Sequence, residues 1–247
     1  MMVSGEYRSI VEAAKEAFAT EDAMAKLNWC EECHEVNLWT YWQGFKWYEK
    51  RPRIKYMLVG QDWGNPNRGN FAWNMPNIIR MNDGEQAYYF DKVPGRKRTI
   101  TKTDQRLIEL FDMLGDKDIE NTRYDELFFT NFCLGYRTGK NSGGMKYEDL
   151  NTDINCKLFR DSVELIKPEN IICLGEATYK VVLTALNIAV PKYSKFNDYV
   201  TTVCNNKAFI TAHNTRILPS FHPGAYGVRN RENHFDRMID DWKSYNK

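Results

Sequence analysis

Four short apolar runs, each ending in a turn-forming stretch, constrain the fold of this chain more than any other feature. They cover residues 54–59, 127–131, 170–174 and 215–219. At least the first and third are predominantly apolar, as expected of strands that are buried on both faces of a sheet. Because helical patterns lie between the runs, we expect a parallel sheet. The predicted fold is α/β: a three-layer αβα sandwich around a short, mainly parallel four-stranded sheet.

Helical segments and two long insertions complete the outline of the chain. Apolar residues recur at helical spacing in segments 6–27, 36–48, 103–114, 152–166, 178–186 and 231–245. The insertion 65–98 is rich in Asn, Gly and Pro, so we expect it to be irregular. The insertion 187–213 contains short Tyr, Val and Thr runs and is expected to form a hairpin or a flap.

Length and composition predict one domain. The 247 residues are 43% hydrophobic and contain no linker or repeat, so we expect a single domain over 1–247 with a helical, Cys-containing N-terminal extension over about 1–50. No apolar run approaches the roughly 18 residues of a membrane span. The N-terminus lacks the charged and apolar regions of a secretory signal. We therefore expect a cytoplasmic protein that does not contact a membrane.

Charge is balanced overall but clustered locally. The net charge is +1, yet segment 92–106 holds six basic residues against one acid, Asp104, and Arg229, Arg231 and Arg237 form a second group. Both groups suit phosphate contacts, but a solvated loop and a solvated helix face explain them equally well. The 14% aromatic content suits either base stacking or core packing.

The first and fourth runs each end beside a reactive side chain. Asp62 closes the turn Gly60-Gln61-Asp62, and His222 lies in Ser220-Phe221-His222-Pro223-Gly224. Open parallel sheets bind ligands in the crevice at the carboxyl ends of their strands, so both side chains are expected to face one pocket. Taken alone, Asp62 is also explained as a helix N-cap and His222 as a buried turn histidine. Their joint position at two strand ends favours a site.

These motifs resemble those of the uracil-DNA glycosylase superfamily. Gly60-Gln61-Asp62 is similar to the family's first motif, and the His-Pro turn after Ser220 is similar to its second. Residues 127–131 resemble the strand that ends in the base-reading Asn, and residues 171–175 resemble the third strand with its Gly turn. The four motifs match in order and approximate spacing over residues 54–242. The resemblance implies a uracil-DNA glycosylase-like fold and a monofunctional DNA glycosylase of base excision repair.

The resemblance also implies roles for the residues at the strand ends. A carboxylate at Asp62 would stabilise positive charge on the sugar and orient water, as in glycoside hydrolysis. His222 would act as a neutral donor to the leaving base, helped by a backbone N–H near Gln61 in the base-binding turn that begins at Gly60. Asn131 would bind the polar edge of the flipped base, although capping of a turn explains it too.

Aromatic residues near the first motif are candidates for stacking on the base. Phe71 resembles the family's stacking aromatic, and Trp73 is equally suited by position. Trp63 stands where Pro is commoner in the family, and in some members an aromatic near this point excludes the thymine methyl group. We include all three among the substrate-binding residues.

Contacts with the DNA strand are expected after the His-Pro turn and in the basic segments. Family members insert a side chain into the base stack at this turn, a role that Tyr226 or Ala225 would fill here, although a plain Gly turn explains the sequence equally well. The predicted DNA-binding residues are Ser220, Gly224, Ala225, Tyr226, Arg96, Lys97, Arg98 and Arg229.

Four of the six cysteines resemble a metal-binding set. Cys30 and Cys33 have the Cys-x-x-Cys spacing of metal ligands. One branch of the superfamily carries an iron–sulfur cluster on four cysteines, and Cys30, Cys33, Cys133 and Cys156 correspond to them. The resemblance implies a structural [4Fe–4S] cluster; the thiolates suit a structural zinc ion equally well, and unliganded thiols are a third possibility. Cys173 and Cys204 are expected to be ordinary buried residues.

The predicted partner is therefore DNA that contains uracil or another deaminated base, bound by a monomeric enzyme. A different function also fits the sequence: a catalytically inactive nucleic-acid-binding module of the same fold, which would keep the basic segment and the aromatic pocket. A hydrolase of free nucleosides is a third hypothesis, and it predicts little salt dependence.

Overall fold

The computed structural model describes residues 3–19, 27–28, 54–62, 127–137 and 145–222. In these ranges the chain forms five helices and seven strands. In chain order they are α1 (Val3–Ala19), β1 (Leu27–Asn28), β2 (Tyr56–Gly60), β3 (Leu127–Asn131), β4 (Tyr136–Arg137), α2 (Tyr147–Leu150), α3 (Asp153–Ile166), β5 (Asn170–Leu174), α4 (Glu176–Ala185), α5 (Phe196–Asn206), β6 (Ile210–Ala212) and β7 (Thr215–Ser220).

The main sheet has five strands in the order β3-β2-β5-β7-β6. The first four are parallel, and β6 pairs with β7 in the antiparallel sense. The predicted α/β class and the mainly parallel sheet are confirmed, and each of the four apolar runs forms one of the parallel strands. The prediction of four strands is wrong by one, because β6 adds an antiparallel edge.

The fifth strand and a further helix lie within the insertion 187–213. β6 joins β7 through His213 and Asn214, whose φ angles of 50° and 65° make the two-residue type I′ turn of tight hairpins. A hairpin is therefore present, but only its first strand belongs to the insertion, most of which was wrongly expected to form the hairpin or a flap. Helix α5 was not predicted, because its Tyr, Val and Thr residues favour strands; its buried residues nevertheless follow helical spacing, at Phe196, Val200, Val203 and Cys204.

The core surrounds β2 and β5, the two inner strands of the parallel part of the sheet. Every residue of β2 and β5 is buried, which means that both faces of these strands are covered by protein. Helix α4 contacts β5 and β7, and α3 contacts α4. The prediction that the first and third apolar runs are buried on both faces is confirmed.

Helix α3 has clear sequence signals at both ends. The Thr152 side chain caps its N-terminus by accepting a hydrogen bond from the backbone N–H of Asn155 at 3.3 Å. Lys167 ends the helix in the left-handed conformation, and Pro168 follows. The predicted helix 152–166 is confirmed, and the helix predicted over 178–186 begins two residues earlier, at Glu176.

The N-terminal segment packs beside the chain that follows β3. Helix α1 contacts α3, and the ring of Phe18 lies so close to Gly135 that a Cβ there would come within 2.9 Å of it. Strand β1 pairs antiparallel with β4, with Asn28 opposite Tyr136. The helix predicted over 6–27 is confirmed for residues 6–19 and begins earlier, at Val3, but the prediction is wrong at Leu27, which lies in β1.

Several predictions fall outside the described residues: the helices over 36–48, 103–114 and 231–245, and the irregular insertion 65–98. Among the helices that the structure describes, none is long and apolar enough to cross a membrane.

Candidate functional site

The carboxyl ends of the four parallel strands meet along one edge of the sheet. Gly60 pairs with Asn131, Val59 pairs with Cys173, and Leu174 pairs with Ser220. The turns after these strands therefore leave from the same edge. This register brings three predicted site residues, Asp62, Asn131 and His222, to that edge.

The strand order places a topological switch point between β2 and β5. In the sheet, β3 lies on one side of β2, and β5, the next strand of the sheet along the chain, lies on the other side of β2. Open α/β sheets bind ligands in the crevice outside the strands at such a point. Asp62 follows β2, on one side of this crevice. His222 follows β7, which is one strand beyond β5. Two strand spacings separate β2 from β7, or about 10 Å.

Three hydrogen bonds anchor the turn that carries Asp62. The carbonyl oxygens of Gly60 and Gln61 accept hydrogen bonds from the N–H groups of Phe132 and Cys133, at 3.0 and 2.9 Å. The side-chain oxygen of Gln61 accepts a third, from the N–H of Met145, at 2.9 Å. Asp62 directly follows Gln61 and is half-buried. Its carboxylate is therefore attached to a backbone that is held by the segment after β3 and by Met145.

Asn131 lies one strand away from this turn. It is the last residue of β3, pairs with Gly60, and is only 7% exposed. Its amide offers two donors and an acceptor. An amide of this kind, at the edge of the sheet and largely shielded from water, suits recognition of a polar planar ligand.

His222 is held by contacts of the residues before it. The N–H of Gly175 donates to the carbonyl oxygen of Ser220 at 2.9 Å, which ties the end of β7 to the end of β5. The ring of Phe221 packs edge-on against Phe196 of α5, with ring centroids 6.4 Å apart. These contacts fix the backbone from which the imidazole projects.

The environment of His222 favours its neutral form. Desolvation by the surrounding protein lowers the pKa of His222 below its usual value of 6.5. Solvent nevertheless reaches the residue, which is exposed. The imidazole is therefore neutral at pH 7 and can donate one hydrogen bond there.

Gly175 is a residue of this site that the sequence prediction did not include. Its φ of 96° and ψ of 165° fall in a region that is open essentially only to glycine. A Cβ at this position would lie 3.8 Å from the Cβ of His222. The sequence signal for this residue is the Gly turn after the third apolar run, but a glycine in a turn indicates no chemical role.

Ser220 lies at the carboxyl end of β7 and is 1% exposed. Its hydroxyl donates to the carbonyl oxygen of Phe221 at 3.4 Å. In this position it contributes to the backbone turn before His222. Its contact with DNA stays a prediction.

Two of the four predicted metal ligands are described, and they lie in neighbouring parts of the fold. Cys133 and Cys156 are buried cysteines outside any disulfide. The ring centroids of Phe132 and Phe159 lie 5.0 Å apart. Phe132 directly follows β3 and precedes Cys133, and Phe159 lies about one helical turn after Cys156. The Cys156 thiol donates to the side-chain oxygen of Asn151 at 3.6 Å, and burial raises the pKa of this thiol.

A complete metal-binding group is not found among the described residues, which lack Cys30 and Cys33. Cys173 and Cys204 are buried, as predicted. The other predicted site residues lie outside the described ranges: Trp63, Phe71, Trp73, Arg96, Lys97, Arg98, Gly224, Ala225, Tyr226 and Arg229.

Comparison of the chain with protein-family models and with curated proteins finds no match. The features that bear on function are therefore the motifs and the geometry of the edge that carries Asp62, Asn131 and His222.

Replacement of Gly175 by alanine is expected to lower the free energy of unfolding by about 1–3 kcal/mol, because alanine would have to adopt a backbone conformation reserved for glycine. Denaturant unfolding measures the change. The variant Glu164→Ala, at an exposed position of α3, is the control and is expected to change stability by less than about 0.5 kcal/mol. Equal stability of Gly175→Ala and the parent would contradict the assignment.

Proposed function

We propose that this protein is a monofunctional DNA glycosylase that hydrolyses the N-glycosidic bond of uracil, or of another deaminated base, after the base has been flipped out of DNA. The observation that supports this most is the convergence of Asp62, Asn131 and His222 on the carboxyl edge of one parallel sheet. We also propose that the fold is the three-layer αβα sandwich of the uracil-DNA glycosylase type. Burial of both faces of β2 and β5 supports the three layers.

Asp62 would stabilise the sugar as its bond to the base breaks. Positive charge develops on the sugar in this reaction, and a carboxylate beside it lowers the energy of the transition state. The attraction is stronger for a half-buried carboxylate than for one in bulk water. The anchored turn of Gly60 and Gln61 keeps the carboxylate in place, so little reorganisation is needed during reaction.

His222 would stabilise the negative charge that develops on the leaving base. A neutral imidazole donates one hydrogen bond to a base oxygen, which is the role of donors in an oxyanion hole. The lowered pKa of His222 supports this neutral form. The carboxylate and the imidazole thus face the two charges that separate as the bond breaks.

Asn131 would recognise the base. Three strand spacings separate β3 from β7, about 14 Å, so a pyrimidine ring held between Asn131 and His222 would lie over the ends of β2 and β5. The amide can donate to one polar atom of the base and accept from another. Such paired contacts distinguish bases by their hydrogen-bonding edge.

We further propose that Cys30, Cys33, Cys133 and Cys156 hold a structural [4Fe–4S] cluster, with zinc as the alternative metal. The arrangement of the described segments supports this ligand set. β1 ends two residues before Cys30 and pairs with β4, which begins three residues after Cys133. Cys133 and Cys156 are connected through the packing of Phe132 on Phe159. Bound metal would displace the thiol protons and crosslink the N-terminal segment to the sheet, with no redox step.

The proposed reaction is tested with oligonucleotides that contain a single uracil. The parent is expected to release free uracil and to leave an intact strand with an abasic site, and Asp62→Asn is expected to react on the order of 10²–10³-fold more slowly. Asp161→Asn is the matched control: Asp161 pairs with Lys157 on the surface of α3, so its loss should leave the rate unchanged.

Three outcomes of this assay would contradict the proposal. Failure of the parent to release uracil, hypoxanthine or xanthine would exclude the glycosylase. Tight, salt-dependent binding of DNA without release would favour the inactive binding module. Hydrolysis of free deoxyuridine without salt dependence would favour a nucleoside hydrolase.

The pH dependence of the reaction tests the neutral state of His222. Since the pKa of His222 is lowered, the ring should protonate only below pH 6.5, and kcat/KM should fall on the acid side with an apparent pKa under that value. In His222→Gln, which keeps a neutral donor at every pH, this contribution to the fall should disappear. An apparent pKa above 6.5 that depends on His222 would show that the charged imidazole is stabilised instead.

Metal content tests the cluster. Protein purified anaerobically without added metal is expected to be brown and to contain iron and sulfide in the [4Fe–4S] ratio, and Cys156→Ser should lose both. Cys204→Ala, which changes a buried cysteine outside the proposed ligand set, should retain them. Colourless protein with zinc would exclude the iron–sulfur cluster, and protein with neither metal would exclude the ligand set.

A further inference from the structure

Gln61 has contacts that separate its role from that of a base-binding residue. Its side-chain oxygen lies 2.9 Å from the N–H of Met145, which is 84 residues away in sequence. Because the backbone N–H can only donate, the amide oxygen of Gln61, and not its nitrogen, faces Met145. The orientation of the side chain is therefore fixed by the fold.

The hydrogen bond connects Asp62 to a well-anchored segment. Met145 is buried in the core, and α2, which follows it, reaches α4 through a hydrogen bond of 3.1 Å between Tyr147 Oη and Thr184 Oγ1. On its other side, the carbonyl oxygen of Gln61 accepts from the N–H of Cys133. Gln61 thus connects the turn after β2 to the turn after β3 and to the segment before α2.

We propose that Gln61 is a positioning residue: its side chain binds the Met145 segment and thereby holds the carboxylate of Asp62 in the orientation that the reaction requires. This inference rests on the proposed function and deepens it. Direct contact of the Gln61 amide oxygen with the base would break the hydrogen bond that this oxygen accepts from the N–H of Met145.

The test is a double-mutant cycle between Gln61→Ala and Asp62→Asn, measured by single-turnover release of uracil. Gln61→Ala is expected to lower the rate constant of the chemical step on the order of 10-fold to 100-fold, because small displacements of a catalytic group are costly, with KM changed by less than about 2-fold. In the Asp62→Asn background the same substitution is expected to change the rate by less than about 2-fold, since there is no carboxylate left to position.

Asn170→Ala is the matched structural control. Its side-chain amide donates to the carbonyl oxygen of Lys55 at 2.8 Å, which also joins a side-chain amide to the backbone, but at the opposite end of β5. This variant is expected to lose stability without a loss of rate. Hydrogen exchange at the amide of Met145 gives a readout that needs no activity: it should be protected in the parent and in Asn170→Ala, and exchange faster in Gln61→Ala.

Two results would overturn the inference. An equal loss of rate from Gln61→Ala with and without Asp62 would show that Gln61 acts independently of the acid, and a rise in KM alone would show that its side chain binds the base. If the parent releases no base, the proposed function fails and the positioning role fails with it. Gln61-dependent protection of the Met145 amide would then describe a purely structural bond.

Discussion

The parallel pairing of β2 with strands on both sides is the constraint on which the candidate site depends. Because β3 and β5 both run parallel to β2, three carboxyl ends meet at one edge, and β7 adds a fourth. A slip of one residue in this register would exchange the two faces of a strand, so that each side chain would pack against the layer that now covers the opposite face. Since β2 and β5 are buried on both faces, packing fixes the register, and the register sets the position of Asp62 relative to Asn131.

The same edge gives two titratable groups different surroundings. Asp62 is half-buried and follows a turn held by backbone and side-chain hydrogen bonds, whereas His222 loses hydration to the protein around it and stays neutral. Pairs of titratable groups in different surroundings are a common basis for dividing roles in acid–base and electrostatic catalysis. The geometry therefore suits a reaction that separates charge between two halves of a substrate.

Local sequence signals predicted the elements that build this edge. β3 and β5 have the bounds expected from their apolar runs. Helix α3 begins after the N-cap residue Thr152 and ends before Pro168, as its sequence signals predict. Helix α5 was missed because its β-branched and aromatic residues favour strands, while burial against α4 and β7 decides the outcome. The contact between Gln61 and Met145 was also missed, because no local pattern connects residues so far apart in sequence.

The segment after β3 connects the proposed metal site with the proposed catalytic acid. The N–H of Cys133 binds the carbonyl oxygen of Gln61, one residue before Asp62. Gly135, two residues further on, accommodates the ring of Phe18, and β4 then pairs with β1. Metal bound at Cys133 would therefore brace the same stretch of backbone that holds the acid. A cluster with no part in the chemistry would still influence the rate, because its loss would loosen one of the supports that orient Asp62.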